Sequence, residues 1–161
     1  MKLLITGGMS AFAQRVARSI PEGNEIIFGD AIAIPEVLVK SGKYQVIPFY
    51  RSPTFSHELL KLALNADIEV IVPLRKEEIR SLAESKVLFE EYGIQVAVPS
   101  LEALKEVSFV ANPDKVMQPV LVLRGKRFQS EKEAIALDDR SGVCLVADSG
   151  EDLFFCCLES D

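Results

Sequence analysis

Short apolar runs that alternate with amphipathic segments constrain the fold of this chain more than any other feature. Residues 2–6 form a largely apolar run that ends at Gly7 and Gly8, which is typical of a strand buried on both faces and followed by a tight turn. From Ser10 to residue 20, apolar side chains recur at helical spacing. The chain is therefore predicted to begin with a strand and an amphipathic helix.

The same alternation continues to residue 104 and predicts four more strands, at residues 25–28, 44–49, 68–72 and 94–98. Strands separated by helices need crossover connections, and such connections produce parallel pairing. We therefore predict an α/β fold, a Rossmann-like doubly wound parallel sheet with helices on both faces.

Helix boundaries are predicted from capping residues. Ser52 and Pro53 match an N-cap and a first helical residue, and Ser100 matches the N-cap of a short helix that ends near residue 104. Between these two helices, the apolar spacing beyond Pro73 predicts one long helix or a bent pair that ends at Gly93.

The pattern changes after Pro113. Short β-like runs at 119–123, 134–137, 143–147 and 153–158 are separated by turn-forming residues, which indicates an antiparallel tail. We therefore predict a Rossmann-like domain at 1–112 and a β-rich C-terminal extension at 113–161. The extension is expected to pack on the same domain and to extend or cover one edge of its sheet.

Charge and composition exclude several classes of protein. The 161 residues contain 18 Lys plus Arg and 24 Asp plus Glu, and a net charge of −6 would repel a nucleic-acid backbone. No apolar stretch approaches the length of a membrane span, and the N-terminal apolar run is too short for a signal peptide. We therefore expect a cytoplasmic protein with no nucleic-acid or membrane partner.

Metal and nucleophilic chemistry have few residues to use. The three cysteines, Cys144, Cys156 and Cys157, match neither a disulfide framework nor zinc-ligand spacing, and we expect them to be reduced. The only histidine, His57, has no acidic or nucleophilic partner at informative spacing, so no metal and no catalytic triad is predicted.

Candidate ligand-binding residues are those that follow the strands, because open parallel sheets bind ligands beyond the carboxyl ends of their strands. The glycine loop, residues 7–10, precedes a helix N-terminus, where free amides favour an anion. The candidates, in chain order, are Thr6, Gly7, Gly8, Met9, Ser10, Asp30, Arg51 and Glu78.

Each candidate has a second interpretation. Gly7 and Gly8 could simply turn the chain, and Asp30 could cap the next segment or bind a ribose in an incomplete dinucleotide motif. The charged run at residues 75–78 could be a solvated first helical turn, an interpretation that we favour over a ligand role for Glu78. Arg51 could pair with an anion or be solvated.

Three segments together carry a family resemblance: Leu3-Leu4-Ile5-Thr6-Gly7-Gly8, Phe28-Gly29-Asp30 and Ile71-Val72-Pro73-Leu74. With the helix that contains Glu78 and the strand end at Pro99-Ser100, residues 1–112 resemble the N-terminal domain of ATP-grasp ligases. The similarity is to the branch of carbamoyl-phosphate-synthase-like enzymes and carboxylate-amine ligases.

That resemblance implies a Rossmann-like lobe whose glycine loop faces a ligand, with Asp30 closing the second strand and Glu78 approaching the substrate. In the family, ATP and magnesium are held by following lobes that need far more chain than the residues after Asn112 provide. The resemblance therefore implies no ATP-dependent ligation by this chain alone, and we expect no bound cofactor.

Three functions follow as hypotheses. The first, which we favour, is a stand-alone and non-catalytic domain that binds a small anionic metabolite at the glycine loop or docks on a separately encoded partner. The second is a small nucleotide- or NAD(P)-binding Rossmann enzyme, and the third is a structural homodimer joined through the tail.

Overall fold

The computed structural model of the protein describes residues 1–130, 140–146 and 153–159. Within these ranges the chain forms two five-stranded sheets. The predicted strand at 134–137 lies outside the described residues. No helix in the described ranges is long and apolar enough to cross a membrane.

The first sheet is parallel throughout, with strand order β3-β2-β1-β4-β5. This order confirms the predicted Rossmann-like α/β fold. From β1 the chain adds β2 and β3 on one side and then adds β4 and β5 on the other side. The carboxyl ends of β1 and β4 therefore flank the switch point, which is where ligands bind in sheets of this kind. The strands are β1 (Lys2–Ile5), β2 (Glu25–Asp30), β3 (Tyr44–Val46), β4 (Val70–Val72) and β5 (Gln95–Val96).

Alternate strand residues face opposite layers of the core. Leu4 and Ile71 pack on the side of α3, α4 and α5, whereas Leu3 and Val70 pack on the side of α1, so helices lie on both faces as predicted. The helices are α1 (Ala11–Ser19), α2 (Glu36–Lys40), α3 (Phe55–Asn65), α4 (Lys76–Glu84), α5 (Lys86–Glu91) and α6 (Leu101–Leu104).

Most of the predicted helix boundaries are confirmed. The side chains of Ser10 and Ser100 accept hydrogen bonds from Ala13 and Ala103, and Gly93 follows α5 with a φ of +77°. The segment beyond Pro73 is the bent pair, because α4 ends at Glu84 and α5 begins at Lys86.

The predicted start of α3 at Ser52 and Pro53 is wrong. The N–H of Phe55 donates to the carbonyl of Ser52 over 3.1 Å, so residues 52–55 first form a turn. The helix then begins at Phe55, with Thr54 as its N-cap.

The C-terminal part of the chain builds the second sheet, with strand order β6-β10-β9-β7-β8. All of its pairs are antiparallel except that of β6 with β10. Strand β6 belongs to this second sheet although it precedes residue 112, where the sequence predicts the end of the first domain. The strands are β6 (Val110–Ala111), β7 (Pro119–Leu123), β8 (Lys126–Arg127), β9 (Gly142–Val146) and β10 (Leu153–Cys157).

This second sheet packs beside α1 on one face of the parallel sheet, where Leu121, Leu145 and Cys156 share a buried cluster with Leu3 and Val16. It also meets the end of β4. The N–H of Leu158 donates to the carbonyl of Leu74 over 2.6 Å, and the N–H of Lys76 donates back to Leu158 over 3.0 Å. The tail thus reaches the carboxyl ends of the parallel strands.

Candidate functional site

A cleft of about 250 Å³ opens at the carboxyl ends of β2, β3 and β4. Three of its residues are charged, namely Asp30, Arg75 and Glu78, and its wall is formed by Ala31, Ile32, Phe49 and Tyr50. An apolar wall with a few convergent polar groups is typical of a small-molecule site. Its volume suits a ligand smaller than a nucleotide.

Asp30 is held by four hydrogen bonds. Its Oδ2 accepts from the backbone N–H of Met9 over 3.2 Å, and its Oδ1 accepts from that of Ala31 over 2.9 Å. The Nη2 of Arg75 lies 3.0 Å from Oδ1 and 3.2 Å from Oδ2. Because this carboxylate is 1% exposed and fully bonded, its charge is balanced inside the protein.

The backbone amides of residues 8–10 in the glycine loop are already hydrogen-bonded within the protein. The N–H of Gly8 donates to the carbonyl of Gly29, that of Met9 to Asp30, and that of Ser10 to the carbonyl of Gly7. The Asp30 carboxylate thus occupies the position beside the start of α1 that the sequence suggests for an external anion.

Packing also brings the glycine loop close to its neighbours. A Cβ added to Gly8 would lie 2.7 Å from the Cβ of Phe28 and 2.9 Å from the backbone nitrogen of Gly29. A Cβ on Gly7, which has a φ of +59°, would lie 2.9 Å from the Cδ1 of Leu158. The two glycines therefore allow close approach of the loop to β2 and to the tail.

Glu78 is the unusual group in the cleft. Its side chain is completely buried, and neither carboxylate oxygen has a hydrogen-bond partner among the described residues. Buried polar groups are nearly always bonded, because leaving a charge unpaired in a protein interior is costly. A buried carboxyl group without a partner in a cleft is therefore a candidate functional group.

Burial raises the pKa of Glu78 to about 7 from its ordinary value of 4.5. The nearby Thr6 hydroxyl and the charge of Arg75 both favour the charged form and lower this pKa. The charges of Asp30 and Glu77 act in the opposite direction. Near neutral pH the group can therefore hold or release a proton.

The position of Glu78 on α4 explains its burial. It precedes Leu82 by four residues, and its neighbours on the buried side of the helix are Ile79 and Ala83. The interpretation of residues 75–78 as a solvated turn is wrong for Glu78. The four-residue spacing to Leu82 is a sequence signal that could have shown its burial.

Arg75, the N-cap of α4, belongs to the same predicted solvated turn, but its side chain is only 21% exposed. Its Nη2 is bonded to Asp30, whereas its Nη1 and Nε have no hydrogen-bond acceptor among the described residues. Arg75 therefore has donors that a ligand in the cleft can use.

The other candidates lie outside the cleft. The Thr6 hydroxyl is buried beneath Glu78 and accepts from the N–H of Leu74 over 2.9 Å. Arg51 is exposed, with its Cζ 5.7 Å from the centre of the Tyr50 ring. The structure therefore brings together Asp30 and Glu78, adds Arg75, and leaves Arg51 at the surface. Sequence reasoning missed the wall residues Ala31, Ile32 and Phe49, which have no polar group to mark them.

The three cysteines are free and buried. Burial raises the pKa of Cys144 to about 12 and that of Cys157 to about 11, so these thiols are protonated and unreactive at neutral pH. Within the described ranges, no group of three His, Cys, Asp or Glu residues could hold a metal ion.

The chain matches no protein-family model and no curated protein. Its chemistry therefore has to be inferred from the cleft. The arrangement offers a proton-carrying carboxyl group, an arginine with unused donors and an apolar wall.

Proposed function

We propose that the chain is a ligand-binding domain that holds a small anionic metabolite in the Glu78 cleft and has no turnover of its own. One observation carries this proposal: the buried carboxyl group of Glu78, which has no hydrogen-bond partner among the described residues, lines a cleft together with Arg75, whose Nη1 and Nε also have no acceptor there. Binding to an anion would use those donors.

We propose the cleft as the ligand site, instead of the glycine loop that the sequence suggests. The amides of Gly8, Met9 and Ser10 are bonded within the protein, and Leu158 lies against Gly7. The same contacts disfavour a dinucleotide, whose pyrophosphate needs the loop amides. We therefore do not propose NAD(P) binding for this chain.

The resemblance to the N-terminal domain of ATP-grasp ligases remains part of the proposal. A Rossmann-like strand order is compatible with that family but is shared by proteins of many functions. The proposal of ligand binding therefore depends on the cleft and would stand without the family assignment.

Docking on a protein partner is the second candidate, and exposed apolar side chains favour it. Ile32 and Phe49 at the cleft are 53% and 52% exposed, and Val46 on the edge strand β3 is 49% exposed. If a second copy is the partner, the mass in solution will rise with concentration, and Phe49→Asp will abolish the rise.

Thermal unfolding with a probe panel tests the binding proposal. The panel contains 4-methylpentanoate, inorganic phosphate, ATP, NAD and NADP. A ligand at about 100 times its Kd adds roughly 2.7 kcal/mol to the stability, which raises the Tm by several degrees. We expect 4-methylpentanoate to produce such a shift, because it combines one anionic group with a small apolar body.

Two arginine variants locate the site. Arg75→Gln should abolish the ligand-induced shift, whereas Arg51→Gln should preserve it, with each shift measured from the variant's own Tm. A shift that survives Arg75→Gln and disappears in Arg51→Gln would contradict the assignment. A wild-type protein that no probe stabilises would contradict small-anion binding.

A further inference from the structure

We infer that the cleft takes up its anion together with one proton, which Glu78 holds and donates as a hydrogen bond, and that the anion is a monocarboxylate. This inference depends on the proposed function, since it concerns the same cleft. Beyond the proposed function, it specifies the charge of the ligand and the dependence of the ligand's affinity on pH.

The charges in the cleft support this inference. Asp30 and Arg75 cancel, because the Nη2 of Arg75 contacts both carboxylate oxygens. Among the described residues that line the cleft, Glu78 is then the only charged group without an opposite charge of its own. An anion entering beside an ionised Glu78 would create two like charges in a closed space, and one of them must become neutral.

Protonation removes this repulsion and supplies a donor. A protonated carboxyl group has one O–H, which Glu78 can direct to a ligand oxygen. A second ligand oxygen can accept from the Nη1 or Nε of Arg75. The proton comes from solvent and remains bound to Glu78, so no covalent bond forms or breaks.

The charged and polar groups around Glu78 come from several elements. Thr6 follows β1, Asp30 closes β2, Tyr50 follows β3 and lines the same cleft, Arg75 is the N-cap of α4, and Glu77 lies on α4 itself. Two of the three charged neighbours are acidic, and burial already favours the neutral form. The free cleft can therefore gain its proton near neutral pH.

The same charges limit the ligand to a single negative charge. With Glu78 neutral, a monoanion leaves the cleft with one net negative charge, whereas a phosphate dianion leaves two. Arg75 is the only cation that lines the cleft within the described ranges, and it is already shared with Asp30. A carboxylate is therefore favoured over a phosphate monoester.

Access to Glu78 requires movement of the wall, because its carboxylate oxygens are closed off from solvent. Ile32 and Phe49 are the side chains able to turn aside, since each is about half exposed. A ligand with a small apolar body can replace the contacts of these side chains.

Isothermal titration calorimetry between pH 6 and pH 9 tests the inference. The probes are 4-methylpentanoate, 4-methylpentan-1-amine and 3-methylbutyl phosphate, which have similar apolar bodies and different charges. Repeating each titration in two buffers of different ionisation enthalpy measures the protons taken up or released.

For 4-methylpentanoate we expect close to one proton taken up at pH 8 and a Kd roughly 100-fold weaker at pH 9 than at pH 6, from a pKa near 7 in the free protein. At pH 8, where it is a dianion, the phosphate monoester should bind at least about 10-fold more weakly, as expected for an extra buried charge.

Two variants provide matched controls. Glu78→Gln keeps a hydrogen-bond donor but cannot titrate, so it should bind 4-methylpentanoate with a flat pH profile and without proton uptake. Glu84→Gln, at an exposed position of the same helix, should keep the wild-type profile.

The outcomes separate the two proposals. Binding of 4-methylpentanoate without proton uptake overturns the coupling and leaves the proposed function standing. Tighter binding of the amine with proton release also overturns it, because Glu78 would then be ionised in the complex. If no probe binds at any pH, both proposals fail.

Discussion

The backbone N–H of Met9 lies 3.2 Å from Oδ2 of Asp30, and this hydrogen bond ties the glycine loop to the end of β2. The start of a helix attracts an anion, and here the protein provides that anion itself. Arg75 contacts the same carboxylate, so three strand ends are joined through one side chain. This arrangement is the reason that we propose a ligand site beside Glu78 and not at the glycine loop.

Asp30→Asn should destabilise the fold. The substitution removes the charge that binds Arg75 and weakens the hydrogen bond from Met9, and we expect a loss of roughly 2–3 kcal/mol. Urea denaturation followed by circular dichroism measures it. Asp67→Asn, at an exposed position with a φ of +56°, is the matched control and should change stability little. Equal effects of the two variants would show that the Asp30 contacts are unimportant.

Gly8→Ala should be more destabilising than alanine at a glycine with open space around it. Its Cβ would meet backbone and side-chain atoms of β2 within 3.0 Å, and we expect a loss of about 2–3 kcal/mol from overpacking. The comparison is Gly42→Ala, where the φ is +78° and no atom lies within 4 Å, so only backbone strain of about 1 kcal/mol applies. Urea midpoints decide between them, and a larger loss at Gly42 would contradict this packing.

Glu78→Gln should stabilise the protein at alkaline pH. The folded state keeps the Glu78 proton up to a pH of about 7, whereas the unfolded chain releases it near 4.5. Stability therefore falls as the pH rises from about 4.5 to 7 and levels off above, with a loss of at most about 3 kcal/mol.

Glutamine is uncharged throughout, so the variant escapes this loss. We expect its Tm to exceed that of the wild type at pH 8 and to equal it near pH 4. Glu84→Gln, at an exposed position, should show no such pH-dependent difference. A Glu78→Gln difference that is the same at both pH values would mean that Glu78 does not titrate in this range.

Much of the fold could be predicted because its signals are local. The buried run that contains Leu3 and Leu4, the cap at Ser10 and the stop at Gly93 each depend on a few neighbouring residues. The start of α3 could not be predicted in this way. Ser52 and Pro53 are typical of the start of a helix, but here they form a turn that is closed by a hydrogen bond from the N–H of Phe55 to the carbonyl of Ser52.

The site was predicted only in part, because it depends on contacts between distant segments. Asp30 and Glu78 could be named from their positions after strands, yet the bond between Asp30 and Arg75 joins residues 45 positions apart. No spacing rule predicts that this pair satisfies Asp30 and leaves Glu78 unpaired. The contact of Leu158 with Gly7 likewise requires the tail to fold back over the loop.

The ionisation of Glu78 is the central claim, and carbon NMR tests it most directly. Wild type and Glu78→Gln, each labelled with ¹³C at the glutamate side-chain carboxyl, identify the Glu78 resonance by its absence from the variant. Its chemical shift is then followed from pH 3 to pH 9. A midpoint close to 7 is the result that we predict. A midpoint near the ordinary value of 4.5 would show a solvated or well-bonded carboxylate and would contradict the proposed site.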